Sequence, residues 1–331
     1  MFTSGNHDLV VIGGSAGGLQ AVLELVGALS PDLPATLLLV LHSGANGPRT
    51  LDRVIDRATM LDCVYAEHGA ALEHGRIYVA PPGVHMILVD DHLRLVHGPT
   101  ENRARPSIDV LFRSVAITRG WRAIGVVLSG LLSDGAAGLA AIKRCGGLAL
   151  VQDPSTVTFS SMPRSAMRAT EVDGCAAASE LSQLLVEMVY RPIATTAPEV
   201  PKDLITEARM VVDPTLTTDE LEKIGRPSTM VCPECGGTLY ELHDQRYRCR
   251  VGHAYGADHM VFEHEQQIDL QLWTVLRTVQ NAITLHRKML AEALSEPENN
   301  NPGHGVGLRA RIKEFEAWSN SLRKLLLKRH Q

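Results

Sequence analysis

Aromatic residues make up only 4% of this 331-residue chain. Its core must therefore be built from Val, Leu, Ile and Ala. Apolar types still reach 45% in total, which excludes an intrinsically disordered chain. Long apolar runs are missing as well. None approaches the ~18–20 residues that span a bilayer, and Met1–Asp8 is polar, unlike a secretory leader. A soluble, cytoplasmic chain without membrane insertion is expected. Nor is positive charge in excess. The formal net charge is −5, with Lys and Arg spread along the sequence, so a general nucleic-acid-binding role is not expected. Of six cysteines, Cys63, Cys145 and Cys175 stand apart in apolar surroundings and read as reduced core residues. The other three cluster after position 230.

The length exceeds what one core usually needs. From Asp8 to Tyr190, fully apolar runs alternate with segments of helical spacing. Leu9–Ile12, Thr36–Leu41, Ala123–Leu128 and Leu148–Val151 read as buried strands. Leu19–Leu29, Ile108–Ile117, Ala136–Cys145 and Leu181–Tyr190 read as helices. Met86–Val89 and Leu93–Val96, separated by Asp90-Asp91, predict a hairpin. This alternation predicts an α/β domain with a doubly wound, mostly parallel sheet over residues 8–190. Residues 191–230 carry five prolines and read as a linker, with a capping box at Thr217–Glu220. A small cysteine module is expected at 231–257. A helical tail at 258–331 follows, its two helices turning at Glu296–Gly307 into a hairpin. Leu272, Val275, Leu276, Val279 and Ile283 recur at helical spacing in it. They read as a packing seam, with a partner or dimer surface as the alternative.

Gly13-Gly14-Ser15-Ala16-Gly17-Gly18 joins the first strand to the first helix. A dinucleotide loop would need glycine at position 15 and an acidic residue closing the second strand. Ser15 and His42 stand there instead. Two readings remain for the turn itself. Gly13-x-Ser15-x-Gly17 fits a nucleophile elbow, with Ser15 at a helix N-terminus that can stabilise an oxyanion. Alternatively, the glycines only permit close helix–strand packing. His42 ends the second strand, and Asp134 lies just past the Ala123–Leu128 strand. A lone histidine there is usually structural, and a lone aspartate before Gly135-Ala136 is usually a helix cap. In an open parallel sheet, however, sites form beyond the carboxyl ends of strands, so Ser15, His42 and Asp134 share one edge. The order Ser, His, Asp differs from that of α/β-hydrolases, which does not count against a triad defined by geometry.

Further segments carry a resemblance. Tyr78–Met86 (YVAPPGVHM), Pro106–Phe112 (PSIDVLF) and Ser129–Ala136 (SGLLSDGA) are similar to stretches of chemotaxis protein-glutamate methylesterases, the CheB family. The resemblance covers about residues 8–190. It implies a methylesterase catalytic domain in which Ser15 is the nucleophile, His42 the base and Asp134 its orienter, with no cofactor for catalysis. It also implies hydrolysis of glutamyl methyl esters on chemoreceptor-type proteins to glutamate and methanol, with glutamine deamidation in some members. The sequence departs from the family at Ala16 (commonly Thr), at Leu41 and Ser43 around His42, and at Leu132, where the aspartate loop has glycine. The family's receiver domain has no counterpart here, so a standalone form active without phosphorylation, or regulated by a partner, is expected. The rival expectation is a catalytically weakened scaffold or regulatory protein acting through its cysteine module and helical tail.

That module begins with Cys232-Pro-Glu-Cys235. Cys249-x₃-His253 follows, and the intervening Thr238–Leu242 and Arg246–Cys249 read as a hairpin. Two such close pairs are a strong zinc signal. Cys232, Cys235, Cys249 and His253 are the expected ligands, with His259 and His243 as alternatives for the fourth. Four protein ligands close a site, so a structural zinc in a zinc-ribbon-like module is expected. It is expected to be energetically separable from the esterase core.

Overall fold

The computed structural model describes residues 5–42, 49–193, 196–213, 218–242, 244–295 and 302–329. In chain order the first 190 residues contain β1 (Leu9–Gly14), α1 (Gly18–Gly27), β2 (Thr36–Leu41), α2 (Leu51–Asp56), β3 (Asp62–Tyr65), β4 (Arg76–Val79), β5 (His85–Val89), β6 (His92–Val96), α3 (Ile108–Arg119), β7 (Ala123–Val127), α4 (Ala136–Arg144), β8 (Leu148–Gln152), α5 (Ser161–Ala169), β9 (Gly174–Ala176) and α6 (Ala178–Val189). Seven strands form one parallel sheet in the order β3-β4-β2-β1-β7-β8-β9, and β5–β6 is a separate antiparallel hairpin.

All residues of β1 and β2 are buried because both sheet faces are covered. Leu9 and Val11 pack with Leu111 of α3 and Leu139 of α4. Val10 and Ile12 point the other way, to Leu25 of α1 and Leu185 of α6. This is the doubly wound α/β arrangement. The strand order reverses between β1 and β7, which opens a crevice beyond their carboxyl ends. Edge strands β3 and β9 are short and carry polar or exposed positions, so no apolar run announces them. Cys175 lies on β9 and is exposed, which corrects its reading as a core residue, whereas Cys63 and Cys145 are buried.

The stretch expected as a linker is mostly structured. It holds α7 (Lys202–Val212), α8 (Thr218–Glu222) and β10 (Gly225–Val231). Two of its prolines sit where these elements tolerate them: Pro201 caps α7, and Pro227 lies on an edge strand. Leu204 of α7 joins the α/β core, and Met210 packs with Leu221, Ile224, Tyr240 and Leu242. β10 pairs with β11 (Thr238–Leu242), and β12 (Tyr247–Cys249) and β13 (Ala254–Tyr255) complete a four-stranded antiparallel sheet.

A buried ion cluster ties this sheet to the α/β domain. Arg248 of β12 donates to Glu101 at 2.6 Å and to Glu207 of α7 at 3.2 Å. Arg113 of α3 donates to Glu101 at 2.6 Å, and Arg246 forks onto Glu207 at 2.7 and 2.8 Å. Glu101, Glu207, Arg113 and Arg248 are all buried. Burial alone would raise the carboxyl pKa values, but the guanidinium groups outweigh it, and both glutamates lie below their ordinary range. Removing one member strands a buried charge. Arg248→Ala is therefore expected to cost about 3–5 kcal/mol in urea unfolding of the full chain. An unchanged midpoint would show that the cluster does not join the two parts.

The division between compact units accordingly falls at Met260/Val261, inside α9 (Ala257–Ser295), and not at residue 190 or 230. The cysteine sheet belongs to the first unit. In the second, α9 continues and α10 (Pro302–Arg329) follows. Val279 and Ile283 pack against Ile312, and His286 meets the Phe315 ring edge-on with centroids 5.4 Å apart. Val275, expected in the seam, is exposed. Among the described residues, no helix is long and apolar enough to cross a membrane.

Candidate active site

Ser15 follows the last residue of β1 and precedes α1. Its N–H donates to Ser129 O at 2.9 Å, and its carbonyl accepts from Gly18 N–H at 2.8 Å. Gly17 has φ +74°, a left-handed conformation that glycine adopts without cost. At Gly13 an added Cβ would fall 2.3 Å from Ile108 Cγ2. The motif therefore does both things expected of it: Gly17 makes the sharp turn, and Gly13 lets α3 approach. The N–H groups of Ala16 and Gly17 make no backbone hydrogen bond among the described residues.

His42 stands one residue past β2, beside the Ser15 turn, and its N–H donates to Gly14 O at 3.0 Å. Its Nε2 lies 2.8 Å from Asp134 Oδ2. Ser43 lies outside the described residues.

Asp134 is 1% exposed and accepts five hydrogen bonds. Oδ2 takes His42 Nε2 and the Ile108 N–H at 2.8 Å each. Oδ1 takes Ser107 Oγ at 2.9 Å, Asn102 Nδ2 at 3.0 Å and the Asp109 N–H at 3.1 Å. The cap of α4 is Gly135, with φ +91°. Asp134 instead serves the N-terminus of α3, where backbone N–H groups and the helix dipole favour a carboxylate. Burial pushes its pKa up, but the His42 contact and then the Ile108 and Asn102 donors hold it below the ordinary aspartate value. Neighbouring Asp109 goes the opposite way. Burial and the Asp134 charge raise it well above its usual range, so the two neighbouring carboxyls oppose each other's ionisation.

Ser15 and His42 line a cleft of about 380 Å³ together with Asn102, Arg105, Leu132 and His259. Leu132, which replaces a glycine of the related loop, keeps a left-handed φ of +63°. For a branched side chain that conformation costs roughly 1–2 kcal/mol. Asn102 and Ser107 were not apparent as site residues in the sequence, and His259 was read there only as an alternative metal ligand. Asn102 and Ser107 lie on an irregular stretch without periodicity, and His259 comes from the first turn of α9.

The cysteine residues form a second cluster. The ligand atoms of Cys232, Cys235, Cys249 and His253 all lie within 4.8 Å of one another. Cys235 Sγ is 3.7 Å from Cys249 Sγ, and His253 Nδ1 is 3.5 and 3.6 Å from the sulfurs of Cys249 and Cys232. Zn–S bonds of about 2.3 Å and Zn–N bonds of about 2.0–2.1 Å give tetrahedral edges of roughly 3.5–3.8 Å. The sulfur spacing is far beyond a disulfide bond. Burial and then the neighbouring sulfurs push the Cys249 thiol up to about 12. His253 Nε2 faces Glu234 at 3.7 Å, and Tyr255 OH reaches Cys232 Sγ at 3.4 Å, as outer groups around a metal do. His259 is not part of this cluster. His243 lies outside the described residues.

Fold and site together define a doubly wound α/β domain with serine, histidine and aspartate beyond three adjacent strands. The chain belongs to the CheB methylesterase family, whose model matches residues 10–185. A relative from Leptospira interrogans is 36% identical over 184 residues, covering 55% of this chain and 95% of its own. A protein-glutamate methylesterase/protein-glutamine glutaminase of Thiobacillus denitrificans is 34% identical over 186 residues, covering 55% of this chain and 52% of its own. The crystal structure of the Thermotoga maritima CheB methylesterase catalytic domain superposes with a TM-score of 0.53 at 27% identity, covering 56% of this chain and all of that domain. The cysteine sheet and helical unit lie beyond the matched region.

Proposed function

We propose that this chain is a serine hydrolase that cleaves glutamyl methyl esters on chemoreceptor-type proteins to glutamate and methanol. The observation that carries this reading is the His42–Asp134 pair, 2.8 Å apart, in the cleft that also holds Ser15. With Nε2 held by Asp134, Nδ1 is the nitrogen left to take the Ser15 hydroxyl proton. Ser15 Oγ attacks the ester carbonyl, and the N–H groups of Ala16 and Gly17 meet the oxyanion. Protonated His42 returns its proton to the departing methoxide, and water then hydrolyses the acyl-enzyme by the same route. A glutamine side chain would follow the same path with ammonia as leaving group. The test is methanol release from a methylated receptor by the purified chain, with fluorophosphonate labelling of Ser15 alongside. A chain that neither labels nor releases methanol would favour the scaffold reading.

The Cys232, Cys235, Cys249 and His253 cluster is proposed to hold a structural zinc in a ribbon-like module. Its spacing supports this, and four protein ligands leave no open position for substrate. The metal would supply folding free energy, on the order of 10 kcal/mol for comparable sites. Cys249→Ser is expected to release one zinc per chain, read by mass spectrometry of protein purified under reducing conditions without chelators. Zinc-free wild type would end the claim. The residual apolar surface of the helical unit, including Trp273, Leu325 and Leu327, supports a partner or dimer contact.

A further inference from the structure

α9 begins directly after the cysteine sheet, and its first turn reaches the esterase cleft. His259 stands in that turn, 4% exposed, with Nδ1 3.0 Å from Ser133 Oγ. Ser133 immediately precedes Asp134. Among the described residues no hydrogen bond engages His259 Nε2, and the residue lines the same cleft as Ser15 and His42. A second tie runs beside it. Asn102 donates its N–H to Ala254 O at 2.7 Å and accepts from Gly256 N–H at 2.9 Å, while its amide holds Asp134. Gly256 packs so closely on Ser133 that an added Cβ would fall 2.6 Å from the hydroxyl. The segment from His253 to His259 is thus fixed at one end by the cysteine cluster and at the other by the aspartate loop.

Burial lowers the His259 pKa to about 4, despite the nearby Asp134 charge. At neutral pH the ring is uncharged, with one donor and one acceptor. Nδ1 is engaged by the Ser133 hydroxyl, so Nε2 is the atom available to a ligand. A neutral imidazole at the rim of an ester site suits a neutral polar group, such as a substrate main-chain amide or a side-chain ester or amide. It does not suit a carboxylate, the product of the reaction, which would need a charged partner at this depth. His259 itself therefore offers the substrate no ion pair.

We propose that His259 is a substrate-binding residue of the esterase cleft, delivered by the cysteine module, and that its Nε2 hydrogen-bonds a neutral polar group of the receptor segment carrying the methyl ester. The inference rests on the serine-esterase reading. It assigns the module a part in substrate recognition as well as in folding.

The test uses the full chain with methylated receptor and, separately, a small fluorophosphonate that reaches Ser15 without filling the cleft. His259→Ala is expected to raise KM roughly five- to tenfold, the effect of one hydrogen bond, with kcat within about threefold. The rate of Ser15 labelling should stay within about twofold. His259→Gln, which keeps a donor and an acceptor, should recover most of the loss in KM. Unchanged KM in His259→Ala would overturn the proposal. So would a parallel fall in labelling and hydrolysis, because that would mean the residue only props up Asp134 through Ser133. A folded Ser15→Ala variant that keeps hydrolysing would instead remove the esterase reading itself, a result the His259 variants do not mimic.

Discussion

Ser15→Ala is expected to lower methanol release about 10⁴–10⁶-fold, because nucleophile, base and orienter act as a unit. The substitution deletes one hydroxyl at a half-buried position. It leaves the two backbone hydrogen bonds of the turn, Ser15 N–H to Ser129 O and Gly18 N–H to Ser15 O, as they are. Gly17 keeps its left-handed conformation, and the Gly13–Ile108 packing is unaffected. The variant should thus unfold at the wild-type temperature, so the lost rate reports chemistry alone. A small residual rate over water is expected, since the Ala16 and Gly17 N–H groups and the cleft remain. Fluorophosphonate labelling should vanish with the hydroxyl. The decisive comparison is methanol release by variant and wild type on the same methylated receptor. Retention of more than about a tenth of the activity would show that another group attacks the ester.

Much of this site was legible because each of its three central residues follows a strand that is apolar throughout. Thr36–Leu41 and Ala123–Leu128 could be read as buried parallel strands, and a parallel sheet places its turns at one edge. β2, β1 and β7 are adjacent, which brings His42, Ser15 and Asp134 to neighbouring turns. The groups that orient Asp134 were harder to see. Asn102 and Ser107 come from a stretch with no period, and the other donors to Asp134 are the Ile108 and Asp109 backbone N–H groups, whose direction depends on the tertiary path. The linker expectation failed for a related reason. Five prolines between residues 191 and 230 suggest irregular chain, yet Pro201 opens α7 and Pro227 sits on an edge strand. The join between cysteine sheet and esterase was hidden as well, because it is ionic. Glu101, Glu207, Arg113 and Arg248 read as surface residues by type, and only their mutual pairing lets them be buried. His259 shows the consequence. In the sequence it is the next histidine after a metal knuckle, and in the fold the same spacing carries it past the cluster to Ser133.

Asp134→Asn is expected to lower kcat about 10⁴-fold while nearly preserving shape, through the tautomer of His42. All five contacts to Asp134 come from donors, and a carboxylate can accept every one. An amide has one acceptor oxygen and one NH₂ group. If its oxygen keeps Ser107, Asn102 and the Asp109 N–H, its NH₂ faces His42 Nε2 and the Ile108 N–H. The backbone N–H cannot turn, but His42 can yield. Its Nε2 gives up the proton and accepts from the amide, and the proton moves to Nδ1. Nδ1 then presents N–H to the serine and can no longer take its proton. The opposite amide orientation sets its NH₂ against two fixed donors, Asn102 Nδ2 and the Asp109 N–H, and costs more. Stability should also fall by about 1–3 kcal/mol, for the Ile108 N–H left against a donor at the start of α3. The pH dependence has a fixed sign. Because the Asp134 pKa is lowered in the fold, its contribution is complete above the ordinary aspartate value and is lost as pH falls through the lowered one. The variant lacks that acid-side slope. Steady-state kcat on methylated receptor, with urea unfolding from pH 7 down to about pH 2, measures both effects. If Asp134→Asn turned over within tenfold of wild type while folded, His42 would not depend on Asp134 for its tautomer, and the triad assignment would fall.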